Sequence, residues 1–139
     1  DFLGTFALTT GHGLKELTLE FEKDNDDYNS IMSKIIADRL VEAFSEKMHE
    51  MIRKDLWAYS KDESLSINDM IKERYEGIRP APGYPACPNH RQKDYIWQML
   101  EVEKNTGITL TETRSMFPAA SLSGWYFSNP KSKYFMISS

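Results

Sequence analysis

The run 79–89, Arg-Pro-Ala-Pro-Gly-Tyr-Pro-Ala-Cys-Pro-Asn, holds four of the chain's six prolines. Proline fixes φ and removes a backbone donor, and each residue ahead of a proline is pushed toward extended geometry. The segment can be neither helix nor central strand, so whatever folds on its two sides must be joined by a rigid loop. A rigid loop carrying Arg79, Gly83 and Tyr84 offers a carboxylate fork, a point of close backbone approach and an aromatic face, the outline of a small-molecule site. The same composition also suits a plain connector between two helices, and the residues alone leave both readings open.

Around the loop the chain alternates between helical and extended patterns. Residues 2–9 read as a strand with Phe2, Phe6 and Leu8, Gly11 and Gly13 bracket a turn, and 14–23 form a short amphipathic helix on Leu14, Leu17 and Phe21. Asp24-Asn25-Asp26-Asp27 breaks that helix and supplies carboxylates suited to cap the next one. From Tyr28, apolar residues at 31, 32, 35, 36, 40, 43, 44, 48, 51 and 52 keep three- and four-residue steps over many turns, which predicts a long helix as the spine of the fold.

Ser66 to Asp69 has the form of a capping box opening a short helix expected to stop at Gly77. After the loop, 91–104 predicts a helix on Tyr95, Ile96, Met99 and Leu100, and the threonine-rich alternation at 108–116 predicts a half-buried strand. Further strands are expected at 121–127 and 134–138. The predicted class is α+β, a bent antiparallel sheet with flanking helices including one long helix, strands from both ends of the chain sharing the sheet.

Composition narrows the function. With 139 residues the chain is one domain or part of one. No apolar run is long enough to span a membrane, and a net charge of −4 without a dense basic patch argues against nucleic acid. The single Cys87 can make no internal disulfide, which fits a reducing, cytoplasmic setting. Cys87 and His90 are spaced like a metal pair, but zinc wants three or four protein ligands and His12 and His49 lie in unrelated elements. A Cys-His nucleophilic pair would need an orienting third group and an oxyanion hole, and neither can be placed; Gly11-His12-Gly13 is too short and poorly placed for a glycine-rich nucleotide loop.

The string RPAPGYPACPNH at 79–90 resembles the signature loop of the activation (reactivation) domain of cobalamin-dependent methionine synthase. The likeness continues in DDYNSIMSKIIADRLVEAFSEKMHE at 26–50, which is similar to that family's long helix, and in SGWYFSNPKSKYF at 123–135, which resembles its closing hairpin. In extent the chain is shorter than the family domain. The expected organisation is one S-adenosylmethionine-binding activation domain over 1–139 that lacks the family's N-terminal portion and a short C-terminal tail.

The resemblance implies S-adenosylmethionine as ligand and cobalamin as a cofactor held on a partner domain of the same enzyme. It also implies a flavodoxin-like electron donor or reductase as a further partner. The function so implied is presentation of the sulfonium methyl group for reductive methylation of cob(II)alamin. Catalysis would belong to the full-length methyltransferase acting on homocysteine, the isolated chain not being catalytic. The alternative is a docking module for the cobalamin domain or the electron donor, with little or no ligand binding.

By resemblance the ligand-binding residues are Arg79, Ala81, Gly83, Tyr84, Tyr134, Phe135 and Glu42. Each also has a plain reading. Arg79 can be a salt bridge to an acid on the neighbouring helix, Tyr84 a core anchor, and Glu42 a solvated charge off the apolar stripe. Tyr134 and Phe135 can be ordinary sheet aromatics, and a strand there would let only one of the two side chains face a shared ligand.

Overall fold

The computed structural model describes residues 3–135. β1 (Leu3–Thr9) is the first element of the described residues and pairs antiparallel with β4 (Ser121–Phe127), Leu3 opposite Phe127 and Thr9 opposite Ser121. The strands from the two ends do share one ribbon; Phe2, in the predicted strand, lies outside the described residues. Side chains alternate across the ribbon. Phe6, Leu8, Leu122 and Tyr126 face one way and build a core with Val41, Met48, Ile52 and Trp57. Ala7 and Trp125 face the other way and pack with Ile96, Val102 and Ile108. Phe6 stacks on Tyr126 with centroids 4.7 Å apart, a pair contributing roughly 0.5–1.5 kcal/mol beyond the area it buries.

α1 (Leu14–Lys23) and α2 (Asp27–Met51) follow β1. Asp26 caps α2, its carboxylate accepting from the Asn29 N–H at 3.0 Å, as the acidic run predicted. The long helix is present, but its expected face is turned the wrong way. Ser30, Ala37, Val41, Ser45 and His49 are the buried residues, while Ile31, Ile35, Ile36, Leu40, Phe44 and Met51 are exposed. Small residues at four-residue steps let the helix lie close on the ribbon, and backbone proximity here decides the packing over side-chain hydrophobicity. The helix runs on into a π-helical turn, Ile52–Leu56, that carries the fully buried Arg53. Glu63 grips that guanidinium through Nε and Nη2 at 2.8–3.1 Å, closing the excursion between α2 and the next helix.

α3 (Ile67–Ile71) has the predicted capping box between Ser66 and Asp69. It ends well before Gly77 because Glu73 takes a left-handed conformation, φ 51°, and the Glu73 and Arg74 N–H groups bond back to Met70 and Asp69. Gly77 serves a different turn: a Cβ there would strike the Phe127 carbonyl, so its absence lets Ile78 reach β4. Ile78 and Phe127 exchange N–H···O bonds at 2.9 and 3.0 Å, and Trp125 N–H donates to Pro80 O at 2.9 Å. The entry to the proline loop is thereby tied to the second edge of β4.

The predicted helix over 91–104 is two, α4 (Gln92–Leu100) and α5 (Val102–Thr106), separated by Glu101 at φ 45°. Ile96 is buried as expected, but Tyr95 and Met99 are exposed. The predicted strand over 108–116 is a small hairpin, β2 (Thr109–Leu110) with β3 (Met116–Phe117). Its threonines do not alternate across a sheet: Thr111 Oγ1 accepts from the Ser115 N–H at 3.0 Å, and such local side-chain bonds favour a turn. Tyr134 and Phe135 belong to no strand, and 136–138 of the predicted final strand lie outside the described residues.

Candidate functional site

A cavity of about 510 Å³ opens between α2, the proline loop and the segment carrying Tyr134 and Phe135. Phe6 and Leu122 of the ribbon also line it, and Glu42, Arg79, Ala81, Tyr84, Tyr134 and Phe135 all stand on its wall. Helical spacing puts Glu42 and Ser45 on the side of α2 that meets the loop, while attachment of Pro80 to β4 holds the loop opposite them.

Arg79 is the most constrained side chain of the wall. Its Nη2 donates to Glu46 Oε2 at 2.7 Å, and its Nη1 donates to Tyr75 Oη at 2.7 Å and to His49 Nδ1 at 3.2 Å. Its own backbone N–H donates to Tyr134 Oη at 2.9 Å, which fastens the end of the described chain to the loop entrance. His49 is fully buried between two rings, stacked on Tyr126 at 5.2 Å and edge-on to Tyr75 at 4.9 Å. Burial, reinforced by the Arg53 and Arg79 charges, lowers its pKa to about 3, so the imidazole is neutral. Burial raises the Tyr84 phenol, with the Glu42 carboxylate acting in the same direction.

The arrangement joins a guanidinium, a carboxylate and aromatic faces around an apolar floor. That combination suits a zwitterionic ligand with an aromatic end. Two further cavities flank it: one of about 420 Å³ shares Glu42, Tyr84 and Leu122, and one of about 550 Å³ lies across the loop beside Lys131 and Lys133. Neither has both an arginine with a preset hydrogen-bond frame and an aromatic wall.

The family profile described as "Vitamin B12 dependent methionine synthase, activation domain" matches residues 1–139. The chain belongs to this family. A solved relative, the crystal structure of the MetH reactivation domain bound to AdoHcy, is 56% identical with a TM-score of 0.93. The match covers 96% of this chain and 41% of the relative's chain, so this chain spans less than half of that length.

In this activation domain the structure brings six of the seven residues expected from sequence to one cavity. Gly83 is the exception. It takes φ 102°, and a Cβ there would collide with the His90 ring, so its part is to shape the loop. Tyr134 and Phe135 lie in no strand, so the alternation expected of them does not apply; both residues line the cavity, and Phe135 is 69% exposed. The salt bridge that was Arg79's plain reading exists as well, to Glu46.

The Cys87 thiol is buried and donates to Gln92 Oε1 at 3.3 Å, and burial raises its pKa. Among the described residues no group of three or more His, Cys, Asp or Glu side chains is placed to hold a metal ion, and no helix is long and apolar enough to cross a membrane. Sequence reasoning missed Glu46, His49, Arg53 and Tyr75. The signal was available in part: Glu42, Glu46, His49 and Arg53 recur at four-, three- and four-residue steps, a polar stripe along one face of a helix otherwise rich in apolar residues.

Proposed function

We propose that this chain binds S-adenosylmethionine in the cavity between α2 and the proline loop and holds its methyl group ready for cobalamin carried on another domain. The observation that carries this is the convergence of Glu42, Arg79, Ala81, Tyr84, Tyr134 and Phe135 on one cavity, in a chain 56% identical to a reactivation domain bound to AdoHcy.

The cavity volume lies within the ordinary range for small-molecule sites of about 300–1,000 Å³. Arg79 would take the carboxylate of the amino-acid end, and Glu42 the ammonium or the ribose hydroxyls. Backbone groups around Ala81 would read the adenine edge, and the aromatic walls of Tyr84 and Tyr134 would lie near the sulfonium. Gly83 serves by keeping the loop in its turn.

No acid or base is required of the protein. Cobalamin on the partner domain, once an external donor had supplied one electron, would provide the nucleophile for the methyl group, and S-adenosylhomocysteine would leave with the bonding pair. The chain's own task is to bind, orient and exclude water. The partners this requires are the cobalamin domain of the same enzyme and a flavodoxin-like donor or reductase, in the cytoplasm. Methyl transfer to homocysteine is a property of the full enzyme; labelled methyl appearing on homocysteine with this chain alone would refute that division.

A second reading, a docking module for the cobalamin domain or the donor, is favoured by one observation, the exposed apolar residues of α2. Calorimetric titration of the folded chain with S-adenosylmethionine and S-adenosylhomocysteine separates the two. Saturable one-to-one heat supports the ligand site. Silence at millimolar ligand supports docking.

A further inference from the structure

Arg79 presents five N–H donors, and three of them are engaged by Glu46, Tyr75 and His49. The two that remain are the Nε–H and one Nη2–H, adjacent groups that can form the side-on fork a carboxylate accepts. A guanidinium has no acceptor, so Arg79 Nη1 can only donate, and His49 Nδ1 must accept. His49 therefore carries its proton on Nε2, a buried atom with no partner among the described residues.

Tyr75 is buried and accepts from Nη1. Neither His49 nor Tyr75 lines the cavity. Both are held by ring contacts that fix their acceptor atoms: His49 stacks between Tyr126 and Tyr75, and the Arg53 guanidinium lies 4.3 Å over the Tyr75 ring.

We propose that His49 and Tyr75 are positioning residues that fix the rotation of the Arg79 guanidinium and so turn its remaining N–H pair toward the carboxylate of the bound amino-acid moiety. This rests on the ligand reading above and deepens it, assigning the discrimination between carboxylate-bearing ligands and those lacking a carboxylate to two residues that touch neither. Burial supports the assignment by keeping His49 neutral, the only form that can accept from Arg79.

The test compares two probes on the same chain: S-adenosylhomocysteine, and 5′-methylthioadenosine, which lacks the carboxylate. Tyr75→Phe, nearly isosteric, and His49→Phe, which keeps a ring in the stack, are expected to weaken S-adenosylhomocysteine about tenfold while 5′-methylthioadenosine changes by less than about threefold. His49→Asn, whose amide oxygen can occupy the place of Nδ1, should restore most of the difference. Melting temperatures accompany each titration, and if His49→Phe fails to fold, Tyr75→Phe alone decides. Equal loss of both probes, or parent-like affinity for both in Tyr75→Phe, overturns the positioning role while leaving the ligand site standing. A folded parent that binds neither probe overturns the ligand site itself and this assignment with it.

Discussion

Arg79 holds Glu46 in the fold and, on the proposed function, the ligand's carboxylate, and its substitutions should show both. Arg79→Ala is expected to weaken S-adenosylhomocysteine about a hundredfold, because a bidentate charge-assisted pair is lost. The fold should suffer too: Glu46, 28% exposed, would lose its partner, a change worth about 3 kcal/mol at the mild end of broken buried pairs. Arg79→Lys should return most of that stability and little of the affinity, since it keeps the charge and loses the fork. Urea midpoints and titrations on the two variants check this. His49 adds a pH dependence. Its pKa falls from 6.5 to about 3 on folding. Above pH 6.5 the imidazole is neutral in both states and its contribution is fully present. As pH falls below that value the unfolded chain takes up a proton that the folded chain refuses, so stability drops by about 2 kcal/mol between pH 7 and pH 5. His49→Asn should flatten that slope in urea titrations at the two pH values.

Among the elements, those set by local chemistry were legible and those set by packing were not. The Asp26 cap, the Ser66–Asp69 box and the extent of α1 follow from neighbouring residues alone, and the structure matches them. The buried face of α2 does not follow, because apolar residues cover one side while packing against α1 and the ribbon selects the side with Ser30, Ala37, Val41 and Ser45. The break at Glu101 was hidden for a similar reason: nothing in its chemistry asks for a left-handed residue, and the joint between α4 and α5 requires one. β4 carries its own test at Gly124, where a Cβ would stand 2.7 Å from the Phe6 ring and 2.8 Å from the Pro80 carbonyl. Gly124→Ala should destabilise the fold by about 2 kcal/mol as overpacking. It should also weaken ligand binding, because relief of the clash moves Pro80 away from its bond to Trp125. Melting curves and titration of this variant read the two effects separately.

Taken whole, the molecule is a two-stranded ribbon between α2 on one face and α4 with α5 on the other, with the proline loop strapped to the ribbon's edge. The rigidity of the loop was legible from its prolines, but composition left it open between a site and a plain connector, and the resemblance alone favoured the site. The frame behind it was not legible, since Arg79 meets His49 across 30 residues and Tyr134 across 55, distances at which spacing carries no information. That frame makes the central claim specific about place as well as ligand. A co-crystal structure of the chain with S-adenosylhomocysteine tests it most directly. The account predicts the ligand between α2 and the proline loop, its carboxylate on Arg79 and Tyr84 and Tyr134 along its length. Ligand found instead in the neighbouring cavity beside Lys131 and Lys133, or bound in the main cavity with its carboxylate away from Arg79, would contradict it.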